Sequence, residues 1–569
     1  MKSAHFDKIM LGDYAGNLLK NVTDKWLIGL YDSNPALLDI FRDRDIEPYR
    51  DLLPWSGESA GKYITGAYFV YRISKSEELK LYIGQFVEKL ISYIDADGYL
   101  GCYQKKCHLT GAYSQTPDIA DSTWDAWSHY HILYGLYLWK DEFSEIDISG
   151  AIERIVNCFL NSFYSNGRSF FEVGSVRMNL AVIHFFALLY RDTGKEEYRI
   201  FLNKMLEETH TEEAGAYVEY YKKKYDFYEF PTPRWESIPV LRGFLNLPDN
   251  GIYSDYKKAA YHIFGSIIKT DVHNTGAFST SEQAIGSPCI EGVIELCAVT
   301  AFEAFCADML QIKCDPLCAD LLETMYYNAV LGSFSPSGRW CTYDTPMNGY
   351  KVSSCVSLNY QLRPGSPEIN SDSAWSAYSL GLLGEWMLLE DPDTLTINYY
   401  GNYSASFDNT SLEISGNYIT EGKAVIKIAT DKKLIRLRIP EWAVNTVIRT
   451  SKGIFNAKSG TYFDIDAKAV TEIRITFNPC IRLIKGTDEF KNKYSVFYGP
   501  ILYGFDSSDN PGLKIDKLPI LKADLLSGLT PEQDEHGMTL IRLPGGTVLR
   551  SFSHIGSGGS KYITWLNIR

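Results

Sequence analysis

A region of paired helices followed by an antiparallel β-sandwich is the fold class that this sequence predicts, and three observations predict it. Long apolar helices joined by short turns recur from about residue 60 to 390. Around residue 391 the hydrophobic period changes from helical spacing to strict alternation. The length, 569 residues, exceeds one ordinary domain. We expect a helical catalytic domain over residues 1–390 and a sandwich region over 391–569.

The first helical pair lies in "GKYITGAYFVYRISKSEELKLYIGQFVEKLISYI", where Leu81, Ile83, Phe86, Leu90 and Ile94 fall near helical spacing. The turn "DADGYLG" closes it. The same design returns in "MNLAVIHFFALLYRDTGKEEYRIFLNKMLEE" and in "ELCAVTAFEAFCADMLQIKCDPLCADLLETMYYNAVLG". Repeated hairpins of this kind build either a closed α/α toroid or an open solenoid. Beyond residue 391, "LIRLRIP" sets Leu434, Ile435, Leu437 and Ile439 against Arg436 and Arg438, which are expected to face outward. In "TEIRITF", Ile473, Ile475 and Phe477 alternate with Glu472, Arg474 and Thr476. Together with "SLEISG", "AVIKIAT", "TYFDID" and "SVFYGPILYG", these runs read as the strands of a sandwich.

Composition excludes some functions. A formal charge of -14 is unsuited to nucleic acid, and the only dense basic run, Lys222 to Lys224, reads as a solvated helix end. Eleven scattered cysteines do not form the framework of a small secreted domain, so they are expected to be reduced and mostly buried. The N-terminal stretch lacks the apolar run and cleavage site of a signal peptide, and nowhere do eighteen apolar residues run together. A cytoplasmic protein with no membrane partner is expected.

A toroid has its cavity where the inner helices meet their loops, and aromatic plus acidic residues there suit a sugar: CH faces stack on rings while hydroxyls take hydrogen bonds. Four stretches qualify. "WSGESAGKY" supplies Trp55 and Glu58; "STWDAWSHYHILYGLY" supplies Trp124, Asp125, Trp127, His129 and His131; "PTPRWES" supplies Arg234, Trp235 and Glu236; "TGAFSTSEQ" ends in Glu282. Each has a plainer reading, as core aromatics, a satisfied core histidine, or a surface salt bridge at Arg234. Trp124 and Trp127 can share a face with His131, whereas His129 lies on another face.

These residues resemble glycoside hydrolase family 127, the β-L-arabinofuranosidase family. The resemblance runs in order through "WSGESAGKY", "DADGYLG", "LLYRDTGKEEY", "TGAFSTSEQ", "IELCAVTAFEAFCADML", "ADLLETMYYNAVLG", "LRIPEWA", "YGPILYG" and "SKYITWLNI". It implies an (α/α)6 barrel followed by a β-sandwich, and thus a toroid. It also implies that Glu282 is the general acid/base, and that Glu295 and Cys297 match two of four zinc ligands. The family's other two ligands are adjacent cysteines, one of them the nucleophile. Here "GSPEINSDSAW" keeps Gly365, Asn370 and Trp375 at the family's spacing but sets Ser366 and Pro367 at the cysteine positions.

A serine hydroxyl without a strong base stays protonated, and proline offers no ligand atom, so the thiolate mechanism does not transfer. No cofactor is expected; zinc would require Cys341 or Cys355 to join Glu295 and Cys297. The expected catalytic set is Glu282 with Glu295 or Glu368 as the second carboxylate. The expected sugar contacts are Glu58, Trp124, Trp127, His131, Arg234, Trp235 and Ser366. Three functions remain open: hydrolysis of a glycosidic bond in a small oligosaccharide or glycoside, eliminative (lyase) cleavage in the same pocket, and sugar binding without turnover. A homodimer is a family-level expectation, and the sandwich is assigned no chemistry.

Overall fold

The computed structural model describes the chain except residues 51, 113–122, 166, 279, 354–370, 516, 517, 519 and 535–537. Six helices close a ring, each packed on the next: Glu58–Ser74, Asp125–Trp139, Val182–Thr193, Ile238–Asn246, Leu296–Lys313 and Ser371–Gly381, the last returning to the first. Most of them are followed by a helix that packs outside: Glu77–Ser92, Ile148–Ser162, Glu196–Glu208, Ser254–Thr270 and Pro316–Met325. This is an (α/α)6 barrel, the closed alternative.

The two layers differ as their composition requires. The inner helix Glu58–Ser74 buries 14 of its 17 residues, while the outer helix Glu77–Ser92 buries 6 of 16 along one stripe. Two glycines set how closely the inner helices approach. A Cβ on Gly61 would lie 2.2 Å from the backbone carbon of His131, and one on Gly381 would lie 2.4 Å from that of Phe69. Gly61 therefore brings Glu58 and Lys62 against the helix that carries Trp127 and His131.

The C-terminal part forms three sheets. A five-stranded sheet runs in the order Lys2–Ser3, Leu388–Glu390, Thr394–Ile397, Leu434–Ile439, Thr461–Asp466. A seven-stranded sheet ends with Tyr403–Phe407 and Lys8–Leu11. Pairing is antiparallel except between Thr394–Ile397 and Leu434–Ile439. The chain's first residues thus complete sheets whose other strands lie beyond residue 387. A third sheet is built on Ile481–Lys485, Lys493–Tyr498 and Ile501–Asp506 and has its own core of Val496, Tyr503, Phe505, Ile541 and Leu549. The period-two reading of "TEIRITF" holds, with Ile473, Ile475 and Phe477 buried.

Arg438 corrects the outward reading of "LIRLRIP": it is 0% exposed. Its guanidinium crosses to the Pro316–Met325 helix, 2.5 Å from Asp320 Oδ1 and paired with Glu323. Trp442 Nε1 donates to Glu323 Oε2 at 2.8 Å, Tyr418 donates to the same carboxylate, and Arg438 Nε donates to the carbonyl of Asn398 at 2.9 Å. Arg436 faces outward as expected and pairs with Asp464. "LRIPEWA" is therefore the brace between sheets and barrel.

The Lys222 to Lys224 run is exposed at the end of the Tyr217–Lys223 helix. All ten described cysteines are unpaired and eight are buried. No helix among the described residues is long and apolar enough to cross a membrane.

Candidate active site

At one end of the barrel the loops before the inner helices gather most of the expected residues. Arg234, just ahead of the Ile238–Asn246 helix, organises them. Its side chain is 1% exposed, which excludes a surface salt bridge. Nη2 lies 2.9 Å from Glu295 Oε2, and Nη1 lies 3.6 Å from Glu282 Oε2. The Arg234 N–H also donates to the carbonyl of Glu282 at 2.8 Å, which ties the two loops together. Glu295 sits at the N-terminus of the Leu296–Lys313 helix and accepts from Tyr343 Oη at 2.9 Å through its other oxygen. Glu282 is the open member of the group, with its side chain 63% exposed. Partial desolvation raises its carboxyl above the ordinary range, Arg234 opposes that rise, and Glu295 adds to it.

Glu236, two residues from Arg234, is buried with Oε2 unpartnered. Burial first, and Glu282 second, push its carboxyl well above the usual carboxylate range. Arg234 Nε and Nη1 make no hydrogen bond, although both atoms are buried.

A second cluster lies behind this one. Lys62 is wholly buried, with Nζ 2.9 Å from Glu58 Oε1 and over the rings of Trp235 and Trp375 at 5.0 and 5.3 Å. Burial alone would lower its pKa, but Glu58, Cys297 and Asp372 reverse this and hold the ammonium charged. Trp127 Nε1 donates to Glu58 Oε2 at 2.5 Å. Asp372, in the first turn of the Ser371–Gly381 helix, accepts the Cys297 N–H at 2.6 Å. Its burial, with Glu295 adding, raises its pKa to about 7.

The expected aromatic wall is present. Trp127 meets His131 edge to face at 4.7 Å, lies 6.0 Å from Trp124 and 5.0 Å from Trp235, and Trp235 continues to Trp375 at 5.3 Å. His131 is buried, and its Nε2 has no hydrogen-bond partner. Burial, with Lys62 adding, drops its pKa well below the ordinary value, so the ring is neutral. His129 belongs to the scaffold, since Nδ1 lies 2.8 Å from the Asp125 carbonyl and Nε2 accepts the Leu100 N–H.

The structure thus joins Glu58, Trp124, Trp127, His131, Arg234, Trp235, Glu282, Glu295 and Cys297 in one region. Ser366 and Glu368, like Pro367 and Cys355, lie outside the described residues. Lys62, Tyr343 and Asp372 were not singled out from sequence. Lys62 reads as one more charge on an apolar helix, and Asp372 as an acid favoured by a helix N-terminus; only the fold shows their burial.

Of the four zinc ligands that the resemblance implies, the described residues supply two candidates, Glu295 and Cys297. Glu295 is occupied by Arg234 and Tyr343. Among the described residues, the only three His, Cys, Asp or Glu side chains close enough to share an ion are Asp95, Asp97 and His108.

The family model "Beta-L-arabinofuranosidase, GH127 catalytic domain" matches residues 44–363. No curated protein matches the chain. Three solved structures are similar over almost the whole length. A GH127 β-arabinofuranosidase has a TM-score of 0.78 at 16% identity, covering 100% of this chain and 98% of its own. A GH127 β-L-arabinofuranosidase from Geobacillus stearothermophilus T6 has a TM-score of 0.77 at 14% identity, with 99% and 100% covered. A protein described as a glycoside hydrolase has a TM-score of 0.76 at 17% identity, with 100% and 98% covered. With more than half of its residues matched by the family model, the chain belongs to the GH127 β-L-arabinofuranosidase family of glycoside hydrolases.

Proposed function

We propose that the protein is a glycosidase that hydrolyses a small glycoside or oligosaccharide without a thiolate nucleophile, using Glu282 as proton donor and Glu295 as the second carboxylate. One observation carries this reading: a single buried guanidinium, Arg234, is shared between an exposed carboxyl and a recessed one. In that arrangement Glu282, its carboxyl raised above the ordinary range, protonates the departing glycosidic oxygen. Glu295, held from two sides, supports the developing positive charge at the sugar carbon or accepts a proton from attacking water. Glu236 Oε2 and His131 Nε2, which have no protein partner, are left to hydrogen-bond sugar hydroxyls, and the tryptophan wall takes the CH faces.

The family makes β-L-arabinofuranosides the first substrates to try. Purified protein is incubated with aryl glycosides and disaccharides, including β-L-arabinofuranosides, with and without a chelator, and products are identified by mass. The expected product carries one added water, forms equally with chelator, and is lost in Glu282→Gln. A product lighter by one water would indicate elimination instead. Chelator-sensitive turnover would refute the metal-free assignment, and sugar binding without any product would favour a non-catalytic role.

A further inference from the structure

We propose that Asp95 and His108, oriented by Asp97, form a binding site for a divalent transition-metal ion at the turn after the Glu77–Ser92 helix, separate from the acidic cleft. The inference is independent of the reaction proposed above.

The argument rests on how the imidazole is held. The His108 side chain is 7% exposed, and its ring stacks on Tyr99 with centroids 3.5 Å apart and planes 12° apart. Nδ1 lies 3.1 Å from Asp97 Oδ2, while Nε2 is buried with no hydrogen-bond partner. The nearest acidic oxygen to Nε2, Asp95 Oδ2, stands 3.7 Å away. That is too long for a hydrogen bond. It is the separation expected of two donors that each sit about 2.1 Å from one ion, at an angle somewhat wider than tetrahedral. A carboxylate on the far ring nitrogen is also what fixes the tautomer of a metal-bound histidine, because Nδ1–H donates to Asp97 and leaves the Nε2 lone pair free.

The turn that carries the acids is rigid. Asp95 N–H donates to the Tyr99 carbonyl, Gly98 N–H to the Asp95 carbonyl, and Tyr99 N–H to Asp97 Oδ1, each within 3.0 Å. Arg154 Nη2 donates to the Asp95 carbonyl at 3.2 Å. Arg44 Nη2 sits 2.6 Å from Asp95 Oδ1, which leaves Oδ2 turned toward His108. Arg44 also opposes a second positive charge, so the affinity is expected to fall below that of a site with four protein ligands. Nitrogen and carboxylate donors suit zinc and its neighbours. Tyr99 Oη and the Leu109 N–H both donate to Asp125, which fixes the turn to the barrel without using any residue of the cleft.

The competing arrangement is an imidazolium held between two carboxylates, with no ion. Full-length protein, stripped with chelator and dialysed, is titrated with Zn²⁺ and with Co²⁺ alone, and bound metal is counted after gel filtration. One equivalent is expected in the wild type and in Cys297→Ser, and none in His108→Ala. The Co²⁺ form should lack a thiolate-to-metal charge-transfer band. Absence of binding in the wild type, retention in His108→Ala, or a thiolate band would each overturn the proposal. Circular dichroism of metal-free His108→Ala checks its fold. Should it fail, Asp97→Asn replaces it, with a 10- to 100-fold weaker affinity expected from loss of the orienting carboxylate.

Discussion

Two buried clusters of charge in this molecule use the same kinds of residue to opposite ends. In the brace, Arg438 meets Asp320, Glu323 and a backbone carbonyl, and Glu323 is further bonded by Tyr418 and Trp442. In the cleft, Arg234 meets Glu295 closely and Glu282 loosely, while its Nε and Nη1, Glu236 Oε2 and His131 Nε2 make no hydrogen bond. A saturated buried network holds two elements in one position, whereas surplus donors and acceptors in a buried site carry an unmet desolvation cost that a polar ligand can relieve. Between these two clusters, therefore, burial of charge is shared and the unmet hydrogen-bonding capacity is what differs.

Four perturbations break or sharpen this contrast. The largest effect is expected from Glu282→Gln, which should lower kcat by roughly 10²- to 10⁴-fold and leave the melting temperature unchanged because the side chain is mostly exposed. Glu323→Ala should do the reverse. It leaves buried Arg438 with Asp320 as its one carboxylate partner and takes the acceptor from Trp442 and Tyr418, and is expected to destabilise by about 3–5 kcal/mol in urea unfolding, with the kinetics of the folded enzyme intact.

Third comes Lys351, half-buried against the third sheet, where desolvation lowers its pKa to about 7. Its amine donates to the carbonyls of Phe552 and Ser553. A lysine with a depressed folded pKa binds fewer protons folded than unfolded between that value and its ordinary one, so its contribution to stability rises with pH there. From pH 7 to 8 the wild type should gain about 1 kcal/mol relative to Lys351→Met; a flat difference would refute the assignment. Smallest is Glu236→Gln: burial and Glu282 already disfavour the charged carboxylate, so the amide should be tolerated with less than about 1 kcal/mol lost.

The helices and strands were legible because each carries its own period: Phe86, Val87 and Leu90 on an outer helix, Ile473 and Ile475 on a strand. Closure of the ring was not legible in the period and came only from the family resemblance, since it depends on Gly61 and Gly381 admitting neighbouring backbones, and a glycine's missing Cβ says nothing of what approaches it. The outward reading of Arg438 failed for a related reason. Alternation assumes one wet face, but that face of the strand is covered by the Pro316–Met325 helix. In the cleft, Glu282, Glu295 and the tryptophans could be picked out by residue type, whereas Lys62 and Asp372 show their importance only through neighbours distant in the chain.

The ring also constrains how the molecule can be made. Its first helix, Glu58–Ser74, finds one of its two inner partners only in Ser371–Gly381, roughly 300 residues later, and contacts of such separation are slow to form. Until that partner has left the ribosome, the seam beside Glu58–Ser74, where Phe69 stacks on Tyr378, lacks its cover. A nascent chain stalled before the sixth inner helix should therefore be a strong client for chaperones that bind exposed apolar helices, and release from them should coincide with closure of the ring.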